Sequence, residues 1–188
     1  LTGSFTHDTN TTDCTVFQST IREKLTTKAQ RSWIGYNTIR YMRVDKGHAE
    51  IVGNVIDGRG GKLIGLQITG ANTSANVRNN EIFNGARSSS GEHTNTVVGI
   101  WVSSLANATI VNNYIHDWKN SKTSGKGNNC YIGIHVAAPA GEVQILGNKI
   151  ANCTGGYNQD PGSYRAKSIA APFQGLTSMY NWLGNVAA

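Results

Sequence analysis

The sequence predicts an all-β protein in which short parallel strands are wound into one stacked coil. The phrase VVGIWVSSLANATIVNNYIHDW, from Val97 to Trp118, has near copies that begin at Leu63 and Tyr131. Apolar residues alternate within the copies, and an Asn recurs at a fixed place in each. Internal repeats of about 20 to 50 residues are typical of solenoids, in which each repeat stacks on its neighbour.

Two residue types mark the register of the repeat. One glycine per copy recurs every 34 residues, at Gly65, Gly99 and Gly133. An Asn follows each glycine after 14 or 15 residues, at Asn80, Asn113 and Asn148, and Asn54 begins the series. Such constant spacing indicates that the same local structure is built several times.

The first phrase of each copy reads as a half-buried strand. In VVGIWV the residues Val98, Ile100 and Val102 alternate with Val97, Gly99 and Trp101. Alternation over six residues is the period of a strand, whereas apolar residues of a helix recur three or four positions apart. We expect Val98, Ile100 and Val102 to point inward.

The second phrase predicts two strands joined by a corner. Aliphatic residues stand three positions before each Asn, at Ile51, Val77, Ile110 and Ile145, and two positions after it, at Ile56, Ile82, Ile115 and Ile150. The Asn itself follows Gly or another Asn, residues that tolerate the left-handed backbone of a sharp corner. If strands stack about 4.8 Å apart, these Asn side chains can form a hydrogen-bonded ladder.

The pattern V-x-I-x-N-N-x-I resembles that of the right-handed parallel β-helices of the pectate-lyase-like kind, and most of all the polysaccharide-binding β-helices of bacteriophage tailspikes. The resemblance covers residues 49–153 and implies one β-helix domain over 1–188, with irregular or terminal coils in 1–48 and 154–188. SWIGYNTIRYMRV, around Gly35, resembles a first strand with an insertion before Asn54. Because the chain opens on Leu1, we expect a fragment of a longer chain, and the resemblance implies a homotrimer.

The outward positions predict a site for sugar. If Ile100 points inward, Trp101 points outward, and its equivalents in the neighbouring repeats are Gln67 and His135. These side chains are expected to stand in a row about 4.8 Å apart beside a bare row of glycines. An indole stacks on the apolar face of a sugar, and amide and imidazole groups bond its hydroxyls.

The loops that lead into these strands supply the candidate catalytic residues. Glycoside hydrolysis requires two carboxyl groups on either side of the bond, and Glu92 and Asp117 occupy consecutive loops that overhang the row. The equivalent loops one repeat further out carry Asp57 and Asp160, whereas Glu81 and Glu142 are expected to be solvated charges. Basic side chains of the loops, Arg87 and Lys122, are expected to bind substrate.

The composition of the chain also indicates which partners are not expected. The 17 Lys and Arg residues exceed the 11 acidic ones, but they are scattered rather than clustered with aromatic residues, so no nucleic-acid partner is expected. No apolar run reaches about 18 residues, so no membrane insertion is expected. Cys14, Cys130 and Cys153 lack Cys-x-x-Cys spacing, so we expect neither a metal nor a cofactor; a Cys130–Cys153 bridge stays open.

These observations predict a protein of an extracellular or virion surface that binds a bacterial capsule or O-antigen polysaccharide and hydrolyses it. A non-catalytic adhesin or structural shaft remains the first alternative. The second is a polysaccharide lyase or epimerase with His135, Lys122 or Arg87 as base, although the outward row lacks the aspartate cluster of the calcium-dependent pectate lyases.

Overall fold

The computed structural model describes residues 3–8, 11–59, 64–84, 86–87, 97–120, 131–137, 140–151, 167–170 and 186–187. Their regular elements are all β-strands, as predicted. In chain order these are β1 (Phe5–His7), β2 (Asp13–Phe17), β3 (Thr20–Thr27), β4 (Arg31–Gly35), β5 (Thr38–Val44), β6 (Gly47–Val52), β7 (Val55–Asp57), β8 (Ile64–Thr69), β9 (Thr73–Arg78), β10 (Glu81–Phe83), β11 (Ala86–Arg87), β12 (Val97–Ser103), β13 (Asn107–Val111), β14 (Tyr114–His116), β15 (Lys119–Asn120), β16 (Tyr131–Val136), β17 (Val143–Leu146), β18 (Lys149–Ala151), β19 (Lys167–Ala170) and β20 (Val186–Ala187).

The strands form two large sheets in which neighbouring strands run parallel. Sheet B contains β2, β4, β6, β9, β13 and β17, and sheet A contains the others except the short pair β11–β15. In sheet A, β5 pairs with β7 through its first half and with β8 through its second half. Sheet A therefore has a first arm of β8, β12, β16 and β19 and a second arm of β7, β10, β14, β18 and β20.

Each repeat contributes one strand to each of these layers. The chain passes from the first arm through sheet B to the second arm in β8–β9–β10, again in β12–β13–β14, and again in β16–β17–β18. The register keeps equivalent residues side by side, since Val98 pairs with both Ile64 and Ile132. The repeat predicted from the sequence is therefore a repeat of structure.

The aliphatic stacks predicted from their distance to the Asn residues are confirmed. The eight residues are between 0% and 1% exposed. Within sheet B, Val77 pairs with Ile51 and Ile110, and in the second arm Ile82 pairs with Ile56 and Ile115. Burial of one such side chain stabilises the fold by roughly 1.5–3 kcal/mol, so these stacks are a major part of the core.

The predicted asparagine ladder is present, and it has one more member than predicted, because it begins at Asn37 rather than at Asn54. Each Asn after Asn37 accepts hydrogen bonds at Oδ1 from the backbone N–H and the side-chain amide of the preceding Asn, whereas Asn37 Oδ1 accepts from the backbone N–H of Ser19 at 2.8 Å. The distances to Oδ1 of the next Asn are 2.8–3.0 Å along the series Asn37, Asn54, Asn80, Asn113 and Asn148. Because all five are buried, the ladder satisfies polar backbone groups that water cannot reach.

A left-handed residue precedes every member of the ladder. The φ angle is +56° at Tyr36 and Asn79, +65° at Gly53, +53° at Asn112 and +61° at Gly147. The Gly-Asn and Asn-Asn pairs of the sequence thus mark corners, as predicted.

The repeats begin before residue 49, and the interpretation of Gly35 is wrong. Gly35 ends β4, which belongs to sheet B, whereas Gly65 lies in the first arm of sheet A. Asn37, 17 residues before Asn54, takes the ladder position of this repeat. The first repeats are shorter than the later ones because β5 runs unbroken through both arms of sheet A, so no insertion is needed.

Candidate functional site

The outer face of the first arm carries the row of side chains that the sequence predicts. Trp101 pairs in register with Gln67 on one side and His135 on the other. The indole and the imidazole stack with their ring centroids 5.5 Å apart and their planes inclined by 25°. Parallel pairing of equivalent residues thus gives a polar and aromatic row on the outside of the stacked repeats.

Two nitrogen atoms of this row are inaccessible to solvent and make no hydrogen bond. They are Trp101 Nε1 and His135 Nδ1, two of four such side-chain atoms in the described part of the chain. Both residues as a whole are half-buried. Burial lowers the pKa of His135, so the ring is neutral at neutral pH and one nitrogen accepts while the other donates. The row therefore contains two buried polar atoms without hydrogen-bond partners, although buried polar groups are normally hydrogen-bonded.

The row continues into β5. The Tyr41 hydroxyl donates to Gln67 Oε1 at 2.7 Å, and burial raises the pKa of Tyr41, so this donor stays protonated. Arg43 pairs in register with Gln67. Burial opposes the charge of Arg43, but the hydrogen bond and ion pair with Asp45 outweigh it and raise the pKa of the guanidinium.

The expected bare trough of glycines is absent at the two positions where the space can be assessed. A Cβ on Gly65 would lie 2.8 Å from Cζ2 of Trp118, and one on Gly99 would lie 3.3 Å from Nε1 of Trp118 and 2.6 Å from Cγ2 of Ile115. Trp118 is fully buried and donates from Nε1 to the carbonyl of Ile82 at 3.1 Å. These glycines make room for an indole of the core and leave no open groove.

The second arm brings two carboxylates to one imidazole. His116 Nδ1 lies 2.8 Å from Asp117 Oδ2, and His116 Nε2 lies 3.1 Å from Glu81 Oε1. Since one ring separates them, the two carboxylate oxygens are at most about 8 Å apart, which falls within the separations used by glycosidases. A neutral ring donates one of these hydrogen bonds, and a protonated ring donates both.

Aromatic rings surround this imidazole. Phe83 stacks on His116 with centroids 5.0 Å apart and planes at 11°, and Tyr114 stacks at 4.2 Å and 24°. Tyr114 is 37% exposed, and Lys149 Nζ lies 5.0 Å from its ring centroid. The second arm thus presents aromatic, acidic and basic groups in one strip. The strip lies beside the seam between the first and second arms, which Trp118 fills.

Asp57 lies one repeat before this strip, in register with Phe83. Burial raises the pKa of its carboxyl group, but hydrogen bonds from Arg59 and Asn84 outweigh the burial and lower the pKa. The Arg59 guanidinium lies 2.5 Å from Asp57 Oδ2. Asp57 is therefore an ionised, paired carboxylate.

The predicted catalytic pair is described only in part. Asp117 lies beside His116 at the end of β14, whereas Glu92 lies outside the described residues, as do Lys122 and Asp160. For Arg87 the structure describes the backbone, which pairs with Asn120 in the short sheet β11–β15.

Sequence reasoning missed Glu81, His116 and Tyr41. Glu81, which was expected to be a solvated charge, has a side chain that is 45% exposed, but it also bonds His116 in the second arm. Counting from the ladder would have found it: Glu81 and Tyr114 each follow their Asn by one position, and Phe83 and His116 by three. Tyr41 carries no such signal, because β5 contains a register shift relative to β3.

Comparison of the chain with protein-family models, with curated proteins and with solved structures finds no significant match. Among the residues that the structure describes, no helix is long and apolar enough to cross a bilayer. Within the same ranges no group of three or more His, Cys, Asp or Glu side chains is arranged to hold a metal ion. Cys14 is buried with a free thiol, and burial raises its pKa.

Proposed function

We propose that the chain is a right-handed parallel β-helix that binds a bacterial surface polysaccharide along the outer face of sheet A and hydrolyses it. The order first arm, sheet B, second arm recurs in consecutive repeats, and parallel strands joined in this order wind as a coil. Within the proposal, the protein belongs to an extracellular or virion surface and assembles as a homotrimer, in the manner of the phage tailspikes that its sequence resembles.

The stacked Trp101–His135 pair is the observation that carries the binding proposal. An aromatic face offers a rigid apolar surface to the C–H groups of a sugar. The unused Trp101 Nε1 donor and the unused His135 Nδ1, which solvent does not reach, supply hydrogen bonds to hydroxyl groups after a side-chain rotation exposes them. Gln67 adds an amide one strand away, so the row suits a polymer that runs along the stack.

The second arm supplies the carboxyl groups for hydrolysis. One carboxyl group, of Asp117 or Glu81, donates a proton to the glycosidic oxygen. The other carboxylate accepts a proton from the water that attacks the anomeric carbon, so the C–O bond breaks and a new reducing end forms. His116, which contacts both carboxylates, positions them. Glu92 remains a candidate partner of Asp117.

A binding protein without activity is the second candidate. The specific observation that favours it is that Glu81 and Asp117 are both bonded to His116 rather than facing an open cleft. In that case the strip of Tyr114, Phe83 and His116 extends the binding surface and breaks no bond.

The test is incubation of the protein with a panel of capsular and O-antigen polysaccharides. Fragment size, new reducing ends and the absorbance of unsaturated uronates are measured for the wild type and for Asp117→Asn, Glu81→Gln and Glu92→Gln. We expect reducing ends without uronate absorbance, and a loss of rate of about 10²–10⁴-fold in the variants that remove an acid or base. The matched control is Asp13→Asn, an exposed carboxylate paired with Arg31 on sheet B, which should keep full activity.

Other outcomes of this experiment would assign the protein to other functional classes. Uronate absorbance would establish a lyase. Binding without fragments would establish the adhesin, and no binding to any polymer would refute the proposal. Trp101→Ala should weaken binding about tenfold or more, whereas Trp101→Phe, which keeps a ring and loses the N–H, should weaken it less. Light scattering after size-exclusion chromatography tests the trimer.

A further inference from the structure

An exposed aromatic cluster lies at the start of sheet B, a different sheet from the one that carries Trp101 and His135. The ring of Phe17 lies 5.4 Å from that of Trp33 and 5.7 Å from that of Tyr36. Phe17 is 45% exposed and Tyr36 is 58% exposed. Large aromatic side chains on a surface are far more useful as binding contacts than as solvated groups.

The backbone is strained at the corner residue that carries one of these rings. Tyr36 has a φ of +56°, which is uncommon for a bulky residue, and the equivalent corner positions in other repeats carry Gly53, Asn79 and Asn112. Strain of this kind persists where the surrounding structure imposes it, and it concentrates at functional sites.

Two glycines leave room for the rings to pack against the backbone. A Cβ on Gly35 would lie 2.6 Å from the ring of Trp33, and a Cβ on Gly53 would lie 2.7 Å from the ring of Tyr36. The rings therefore pack closely against the backbone at these glycines, and such packing restricts them before a ligand arrives and reduces the entropy lost on binding.

A polar row continues directly from the cluster along sheet B. Trp33 pairs with Glu50, Glu50 with Asn76, Asn76 with Thr109, and Thr109 with Gln144. Two open grooves of about 320 and 250 Å³ are lined in part by Glu50, Asn76, Thr109 and Gln144. Amide, hydroxyl and carboxylate groups are thus repeated at the strand spacing of about 4.8 Å.

The charges of the row favour an uncharged ligand. Burial raises the pKa of Glu50, but hydrogen bonds from His48 and Asn76 outweigh it and lower the pKa, so the group is an anion. Arg78 lies 3.5 Å from Glu50, and Glu142 adds a second carboxylate at the far groove. Two carboxylates against one guanidinium disfavour an acidic polymer.

We propose that the outer face of sheet B is a second carbohydrate site, in which Phe17, Trp33 and Tyr36 stack on the sugar rings of a neutral glycan and the row from Glu50 to Gln144 bonds its hydroxyl groups. The site is separate from the row of Trp101 and does not depend on hydrolysis there. It gives the protein a means of attaching to a neutral glycan while the other face engages its own polymer.

Affinity electrophoresis of the full chain tests this site. The gels contain dextran, galactomannan or xyloglucan, and dextran sulfate serves as the acidic counterpart. The variants are Tyr36→Asn, Trp33→Ala and, for the other face, Trp101→Ala. Tyr36→Asn is the sharpest of them, because Asn already occupies the same left-handed corner at Asn79 and Asn112, so the fold accommodates it.

We expect at least one neutral polymer to retard the wild type, a loss of affinity of about tenfold or more in Tyr36→Asn and Trp33→Ala, and no change in Trp101→Ala. An unchanged urea midpoint in Tyr36→Asn would show that the loss is local. The proposal is overturned if no neutral polymer retards the protein, if retardation survives Tyr36→Asn, or if only dextran sulfate binds. It is also overturned if Tyr36→Asn changes the oligomeric state instead, since the cluster would then be a contact between copies.

Discussion

Replacement of Asn80 by Ala removes five hydrogen bonds from the middle of the asparagine ladder. Asn80 Oδ1 accepts from the backbone N–H of Asn54 at 2.8 Å and from its side-chain amide at 3.0 Å. Asn80 Nδ2 donates to the carbonyls of Ile51 and Arg78 and to Oδ1 of Asn113, at 2.9–3.0 Å.

The expected cost follows from which partners keep another bond. The side-chain amide of Asn54 still donates to the carbonyl of Ile34, and Oδ1 of Asn113 still accepts from the backbone N–H of Asn80. The backbone N–H of Asn54 is buried and loses its partner, at about 1–3 kcal/mol, and the carbonyl of Ile51, which lies in the paired strands β6 and β9, loses one donor, at about 0.5–1.5 kcal/mol. With the loss of packing, we expect a fall of about 3–5 kcal/mol in the free energy of unfolding.

Equilibrium unfolding in urea, followed by circular dichroism, measures this effect. At an m value of about 2 kcal/mol/M, the midpoint should fall by about 1.5–2.5 M. The matched control is Asn79→Gly, one residue away, where φ is +56° and the Gly-Asn pairs at 53–54 and 147–148 show that glycine fits. The reasoning is refuted if Asn80→Ala lowers the midpoint no more than Asn79→Gly does.

Three further outcomes are expected. Gly99→Ala should lower the melting temperature by several degrees, because its Cβ would lie 2.6 Å from the carbonyl oxygen of Gly133 and overpacking costs about 1–3 kcal/mol; Gly3→Ala, with nothing within 4 Å, should leave it unchanged. Trp118→Phe should also lower the melting temperature, since the hydrogen bond to the Ile82 carbonyl is lost; an unchanged value would mean that the indole does not fill the seam. Burial lowers the pKa of His135, so its contribution to stability is complete above pH about 6.5 and is lost as the pH falls towards the folded-state pKa; His135→Gln should make the urea midpoint vary less between about pH 7.5 and about pH 5, and an identical pH profile would contradict this.

The ladder and the aliphatic stacks were predictable because each depends on a fixed offset from Asn, and the outward row was predictable because it lies two residues after each repeat glycine. In parallel strands held in register, a residue's offset decides both its face and its neighbours. Trp101, Gln67 and His135 therefore fall side by side with no knowledge of the rest of the chain. The same count extends to Glu81 and His116.

The position of Trp118 was not predictable in this way. It follows Asp117 at the start of a polar loop, where a half-exposed indole is the ordinary expectation. Its environment is set by Gly65 and Gly99, which are distant in sequence and adjacent only after the two arms of sheet A have formed. The same limit hid the aromatic cluster, since Tyr36 belongs to a repeat whose register the sequence obscured.

Four glycines of this protein, Gly35, Gly53, Gly65 and Gly99, lie where an aromatic ring approaches the backbone closely. Strands about 4.8 Å apart bring every Cβ close to its neighbours, so a ring lies on the backbone only where a side chain is absent. At Gly65 and Gly99 the ring is the buried Trp118, and the glycine contributes to stability. At Gly35 and Gly53 the nearby rings are those of Trp33 and Tyr36, which are partly or largely exposed and which contact the ligand in the proposed second carbohydrate site. The exposure of a ring beside a glycine therefore decides whether a structural or a binding role is proposed for it.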